Sequence, residues 1–319
     1  MPANEFPEGD YYCDLGDDIT CVDADYVAPG MACFYLLRSA DEYALIETGT
    51  SRSLHNLDRL LRARGIDHAQ IRYVIPTHVH LDHAGGAGAM LQRFTEGHLL
   101  IHPRGLRHMV DPTRLVAASR AVYGDELFAS LYGDILPVPE ARVRALADGE
   151  SVSFGERRLL FRHTEGHALH HFCVWDEQSC GWFTGDMFGL CYPWCRFPDG
   201  DFLLPSTTPT QFDPVAYLAS LSLLQAFSPR RMYLTHYGAI RFSAQKLQQL
   251  AAQIEAYCEL AERHSSDESA LQAALADDAL NRIAAAGCTR GAASLAQDLE
   301  FDMQLNAQGL LAWRQRASR

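Results

Sequence analysis

A chain of 319 residues that is 48% hydrophobic and 21% charged has the composition of a globular protein with a sizeable core, which excludes a disordered or fibrous one. Its 27 basic against 40 acidic residues leave a formal net charge of −13, a field that repels phosphate backbones and anionic lipid. The densest basic stretches, Arg59 to Arg64 and Arg230-Arg231, hold only a few charges each, so no nucleic-acid partner is expected; no apolar run approaches the roughly 20 residues that span a bilayer, so no membrane is expected either.

Up to about Gly9 the chain is polar and Pro-containing, a loosely held start. Ile19 to Val22, Ala32 to Arg38 and Tyr43 to Ile46 are short β-branched, aromatic and aliphatic runs between turn residues, and they predict the first strands of a sheet. Leu54, Leu57, Leu60 and Leu61 recur at helical spacing before Gly65, a helix stop. Ile71 to Ile75 is a strand ended by Pro76, which places the polar cluster beginning at Thr77 in a loop at the strand's carboxyl end. Leu99 to Ile101 predicts another strand, and Arg104 to Tyr132 reads as helix interrupted by Pro112, a lid.

Val143 to Leu146, Val152 to Phe154 and Arg158 to Phe161 predict an antiparallel group, followed by strands at Phe172 to Trp175 and Gly181 to Thr184. The stretch from Asp186 to Pro214 is long, aromatic-rich and poorly periodic, the kind of loop that often carries function. Val215 to Phe227 reads as a helix and Met232 to Leu234 as a last buried strand. In the Ala- and Leu-rich tail, Leu247, Leu250, Ile254, Tyr257 and Leu260 form one apolar stripe, expected to pack on a core or on a second copy of the chain.

Nine cysteines are an odd number without the rhythm of a disulfide framework, and no leader pattern opens the chain, so reduced thiols in a cytoplasm are expected. Cys191 and Cys195, which flank Tyr192-Pro193-Trp194, read as buried or loop thiols ahead of a metal or redox role.

The chemistry lies in Thr77-His78-Val79-His80-Leu81-Asp82-His83, three imidazoles and a carboxylate within six residues. Neutral imidazole suits zinc and other late first-row metals, and a carboxylate supplies compensating charge. One loop cannot surround two metals, and further candidates follow at later strand ends: His167, Asp186 and His236. His163, His170 and His171 beside a ligand read as supporting or packing residues, His171 being the best supporter. His102 and His108 read as surface histidines of the lid, and Tyr192 and Trp194 serve equally as loop packing or substrate contact.

These residues resemble the metallo-β-lactamase superfamily, whose motif is H-x-H-x-D-H followed by single His, Asp and His ligands; the match runs over roughly residues 15 to 240 and looks most like a glyoxalase-II-like branch. The resemblance implies an αββα four-layer α/β sandwich; joined to the helical patterns above, it gives a domain over residues 1–242 with a helical lid insertion at about 104–140, followed by a helical C-terminal extension over 243–319. It implies two divalent ions, zinc first and iron or manganese as alternatives: His78, His80 and His167 on one, Asp82, His83 and His236 on the other, Asp186 bridging. Two residues depart from the family pattern. Glu47 stands where Asp is usual, which puts loop positioning in question, and Glu165 adds a negative charge beside His167.

Two such ions lower the pKa of a shared water from 15.7 toward about 7 and polarise a carbonyl, so the expected function is hydrolysis of a small ester-like bond, a lactone or thioester, by a metal-bridged hydroxide. The expected partner is a small-molecule substrate. Asp82 would orient the hydroxide and Tyr237, beside His236, would steady the oxyanion. The competing readings are an iron-dependent sulfur dioxygenase, whose ligands are a subset of these, and a metal-binding regulatory module without turnover. An oxygen reductase is disfavoured by His80, since that branch carries Glu there. The apolar stripe allows a homo-oligomer through the C-terminal helices.

Overall fold

The computed structural model describes residues 11–197, 200–207 and 211–318, so the loosely held start lies outside the described residues. Strands appear where apolar runs are bounded by turn residues. The first sheet has the order β1 (Tyr12–Gly16), β2 (Ile19–Asp23), β3 (Cys33–Ser39), β4 (Glu42–Ile46), β5 (Ile71–Ile75), β6 (His98–Ile101), β7 (Val143–Ala145), antiparallel through β4 and parallel thereafter. The second sheet is built from β8 (Ser151–Phe154), β9 (Arg157–His163), β10 (Phe172–Asp176) and β11 (Gly181–Gly185). After a two-stranded ribbon of β12 (Arg196–Phe197) and β13 (Gly200–Asp201), it is completed by β14 (Arg231–Leu234) and β15 (Gly238–Arg241), in the order β15-β14-β11-β10-β9-β8. Two mixed sheets with helices make the expected α/β sandwich.

Two compact units divide the chain: residues 1–163, 170–185 and 230–239 form one, and residues 164–169, 186–229 and 240–319 the other. The second unit therefore takes in segments well before the boundary at 243 that the sequence indicates.

In the first unit, one core cluster lies between the inner faces of the two sheets, with Tyr35, Ile46, Ile75 and Leu100 facing Phe161, Phe172, Phe183 and Tyr233. β10 and β11 are buried along their whole length, which is why both read as continuous apolar runs with no alternation. A second cluster joins the other face of the first sheet to α1 (Leu54–Arg64), α2 (Leu81–Ala84) and α3 (Ala87–Arg93), and to the insertion helices α4 (Leu106–Val110), α5 (Thr113–Tyr123) and α6 (Asp125–Tyr132). The helix stop is where the sequence indicates: Gly65 closes α1 at φ 64°, a conformation glycine adopts without penalty.

One strand grouping needs correction. Val143 to Leu146 does not join the antiparallel group; β7 pairs parallel with β6, and Leu146 N donates to Ile101 O at 3.0 Å, so the segment finishes the first sheet. Periodicity fixes that a segment is a strand but not which edge its hydrogen-bonding groups find. Among the described residues, no helix is long and apolar enough to cross a membrane.

The second unit holds α7 (Pro214–Ala226), α8 (Ala244–Arg263), α9 (Glu268–Ala285) and α10 (Ala292–Ala317). Leu250, Ile254 and Tyr257 of the apolar stripe are buried, as are Leu271 and Leu275 of α9 and Leu299 and Met303 of α10, and the Tyr257 hydroxyl lies 3.8 Å from Met303 Sδ. The aromatic loop is bound to α10: Tyr192 donates to Asp302 Oδ1 at 3.2 Å, stacks on Trp194, and Asn306 takes Thr207 N at 2.7 Å. Tyr192 and Trp194 are thus packing residues of this unit.

Candidate metal centre

Pro76 ends β5, and the chain turns through Thr77 to His80 before α2 begins, carrying Asp82 and His83 on its single turn. Beneath this loop lies Glu47, just past β4, with φ 66° and only 1% of its surface exposed. A left-handed Glu costs on the order of 1–3 kcal/mol and persists where surroundings over-determine it. Here they do. Glu47 Oε1 accepts from Thr77 Oγ1 at 2.6 Å and Thr235 Oγ1 at 3.0 Å and lies 3.0 Å from His83 Nδ1, while Oε2 accepts from Thr77 N at 3.1 Å. One carboxylate ties together the loop of His78, the turn of His83 and the strand end that leads to His236. The residue that departs from the family pattern is the one that holds the loop.

These bonds fix tautomers. A carboxylate only accepts, so His83 Nδ1 carries the proton and Nε2 keeps its lone pair. The Thr77 hydroxyl spends its single proton on Glu47, so it accepts from His78 Nδ1 at 3.1 Å, and His78 Nε2 is left with a lone pair, 2.8 Å from His80 Nδ1. His236 Nδ1 donates to Met31 O at 2.7 Å, which frees its Nε2 in the same way.

Asp82 Oδ2 lies 3.6 Å from His83 Nε2 and 3.2 Å from His236 Nε2, and the three residues offer ligand atoms within 4.8 Å of one another. Two imidazole lone pairs and a carboxylate oxygen converging on one small space repel unless a cation lies among them, so the donor set fits a divalent metal.

The second unit repeats the device with weaker supports. His167 is fully buried; its Nδ1 donates to Ser206 O at 3.1 Å, and its Nε2 faces Asp186 Oδ2 at 3.5 Å. Ser206 Oγ also donates to Asp186 Oδ2, at 3.2 Å, and Tyr217 OH donates to Asp186 O at 2.8 Å. Gly166, before His167, has φ 127°, and a Cβ there would fall 2.3 Å from Tyr217 Cα, so only glycine permits this approach.

The sequence model of the Metallo-beta-lactamase superfamily matches residues 28–236. The chain belongs to this superfamily. A superfamily protein from the archaeon Sulfolobus tokodaii shares its fold with a TM-score of 0.66 at 20% identity, over 92% of this chain and 97% of that one. A metallo-beta-lactamase family protein from Thermus thermophilus does so with a TM-score of 0.65 at 19% identity, over 96% and 95%. An acyl-coenzyme A thioesterase of Gallus gallus is 27% identical over 172 residues, 51% of this chain and 59% of that protein. An atrochrysone carboxyl ACP thioesterase of Aspergillus fumigatus is 24% identical over 216 residues, 67% of this chain and 53% of that one. The chain spans less than two thirds of the length of either thioesterase. Superfamily membership, the His/Asp clusters and these relatives together support a divalent-metal hydrolase.

Within this superfamily protein, one expected role is corrected. Tyr237 does not present its hydroxyl to a substrate: it is 1% exposed and donates to Asp23 Oδ2 at 3.0 Å. A phenol has one proton, and this one is spent. Asp23 also accepts from Gly30 N at 2.8 Å, in the loop whose Met31 carbonyl fixes His236, so Tyr237 positions a ligand's support.

The neighbouring histidines pack around the loop of His78 and His80 or on each other. The buried His171 ring lies 5.0 Å from His78, and His170 accepts from Val79 N at 3.4 Å. Gly185 ends β11 against them: a Cβ there would meet Thr77 Oγ1 at 2.3 Å and His171 Nε2 at 2.6 Å. His102 is not the surface histidine that the sequence indicates: it is 3% exposed and packs on His163, centroids 4.0 Å apart. Both Cys191 and Cys195 are buried, and burial pushes the Cys191 thiol up to about 12, so it stays protonated and unreactive.

Sequence reasoning missed one apparatus altogether. The hydroxyls of Tyr26 and Tyr132 are 3.2 Å apart, and the Tyr123 ring lies 5.6 Å from Tyr132. Burial, with the Asp82 carboxylate adding to it, pushes the Tyr123 and Tyr132 phenols above their ordinary range, which places this tyrosine group beside the ligand cluster. No signal joined Tyr26 to residues so much later in the chain.

Proposed function

We propose that the chain is a dinuclear, zinc-dependent thioesterase in which His78, His80 and His167 hold one ion, Asp82, His83 and His236 the other, and Asp186 bridges them. The observation that carries this reading is the preset protonation of the imidazoles: His78, His83, His167 and His236 each commit Nδ1 to an oxygen and turn Nε2 to ligation. Two divalent ions bound there would lower the pKa of water from 15.7 toward about 7 and polarise the thioester carbonyl. Asp82, its Oδ2 between the Nε2 atoms of His83 and His236, orients the attacking water and takes its proton.

A thioester is favoured over a lactone because of the leaving group. A thiol has a pKa near 8.5, so its thiolate departs without a proton donor, whereas an alkoxide needs one. With the Tyr237 hydroxyl committed to Asp23, chemistry that needs no general acid suits these residues best. The names of the two relatives point the same way.

The test is elemental analysis together with a panel of thioesters, lactones and phosphodiesters on metal-defined protein. Two zinc ions per chain and a preference for thioesters are expected. One iron per chain with oxygen uptake on persulfides would replace this reading with a dioxygenase, and stable metal binding with no turnover on any member would replace it with a regulatory module.

A further inference from the structure

The −13 chain carries a local inversion of its charge. Residues 104–120 hold four arginines, Arg104, Arg107, Arg114 and Arg120, against the single carboxylate of Asp111. Spaced apart in this way they form no basic run in the sequence. Arg107 lies on α4 beside His108, and Arg114 lies on α5 after the break at Pro112.

His108 is half-buried and sits on a line of rings that leads to the ligands: its centroid is 6.4 Å from His170, which is 5.6 Å from His80 and 6.1 Å from His78. Burial and then the charges of Arg107 and Arg114 hold the His108 pKa below its ordinary value, so both guanidinium groups are near the imidazole. Arg120 is spent on Asp125 at 3.1 Å, and Asp111 accepts from Thr113 N and Oγ1. Arg107 and Arg114 are exposed, and among the described residues neither forms an ion pair or side-chain hydrogen bond.

Two exposed guanidinium groups beside a metal-ligand cluster, on a protein that otherwise repels anions, are arranged to receive one particular anion. Arginine's planar fork matches the oxygens of a phosphate, and a positive rim on a negative surface steers an anionic ligand to that rim. Resting on the thioesterase reading, we infer that Arg107 and Arg114, with His108 between them, seat a phosphate of the carrier thiol, so that the substrate is an acyl thioester on a phosphate-bearing arm. The ring line from His108 through His170 to His80 is then the course of the arm between phosphate and thioester. The phosphate belongs either to a nucleotide carrier or to a prosthetic arm of a carrier protein; the chemistry at the arginines is shared.

The experiment compares kcat/KM for butyryl-coenzyme A, butyryl-4′-phosphopantetheine and butyryl-pantetheine on zinc-loaded protein, wild type against the double variant Arg107→Glu/Arg114→Glu, with Arg62→Glu on α1 as a charge control. Both phosphate-bearing substrates are expected to exceed butyryl-pantetheine by at least about tenfold in the wild type, mainly through KM. The double variant loses that preference and keeps its rate on butyryl-pantetheine, and the control changes neither. A coenzyme A advantage over phosphopantetheine assigns the nucleotide phosphates as the occupant; equal rates assign the arm phosphate. Equal kcat/KM for all three in the wild type, or a preference that survives in the double variant, overturns the seat while leaving the thioesterase reading intact. Should no thioester be hydrolysed, that reading fails, and binding of desulfo-coenzyme A decides the seat separately. Affinity that falls at least about tenfold in the double variant upholds it, and affinity that is equal in both proteins or absent in both overturns it.

Discussion

The two ligand sets use the same device with different strengths. In the first unit, a buried carboxylate, Glu47, takes His83 directly and His78 through Thr77; in the second, His167 leans on the neutral Ser206 carbonyl and Asp186 on the Ser206 hydroxyl. A charged acceptor binds an imidazole N–H more strongly than a carbonyl does and makes the other nitrogen a better ligand. Metal affinity should therefore be governed by the first set and tuned by the second.

Five substitutions, one of them followed over pH, test this comparison. Asp82→Ala removes a ligand and the proton acceptor from the first set, so thioester hydrolysis should fall by at least about a thousandfold while the circular dichroism spectrum is unchanged; retained activity would reject the assigned role. Glu47→Gln keeps the length of the support but replaces an acceptor oxygen with an N–H₂ group, and metal affinity measured by chelator competition should fall roughly 10–100-fold. An affinity equal to wild type would show that the two supports are equivalent.

Ser206→Ala deletes one hydroxyl-to-carboxylate hydrogen bond to Asp186, of about 1.5 kcal/mol, which corresponds to a change of about tenfold in the same assay. A larger loss than for Glu47→Gln would reverse the ranking. Tyr237→Phe removes a bond to Asp23 and should cost about 1 kcal/mol in urea denaturation with kcat within about threefold of wild type. A loss of kcat of about a hundredfold would restore the phenol to catalysis.

The smallest effect lies outside both sets. Burial foremost, then His163 and Arg104, lowers the His102 pKa to about 4 from 6.5. The fold accepts the neutral ring, so as pH falls below about 6.5 the unfolded chain binds the proton first; the contribution is whole above that pH and is lost on the way down to about 4. His102→Asn keeps the acceptor that caps Arg104 N and removes the titration, so its stability should decline less than wild type between about pH 7 and 4.5. Parallel pH profiles for the two proteins would contradict the assignment.

Much of this was legible locally. The strand-Pro-loop order placed His78 to Asp82 at a strand end, and the spacing of Leu54, Leu57, Leu60 and Leu61 with Gly65 gave α1 its face and its stop. Those signals are short in sequence because strand and helix periods repeat every few residues. β1 and β15 escaped because Tyr12–Gly16 and Gly238–Arg241 mix polar and apolar residues without a clear run.

The candidate ligand types, their order and the family are written in the chain itself, since H-x-H-x-D-H and the later His, Asp and His are covalent facts. What surrounds them comes from the folded chain. Glu47 became the hub of Thr77, His83 and Thr235, Tyr237 turned inward to Asp23, and β7 joined the first sheet. Most of these join groups far apart in the chain, and such pairings are set by sheet register and by the demand that buried polar groups find partners, which no local pattern encodes.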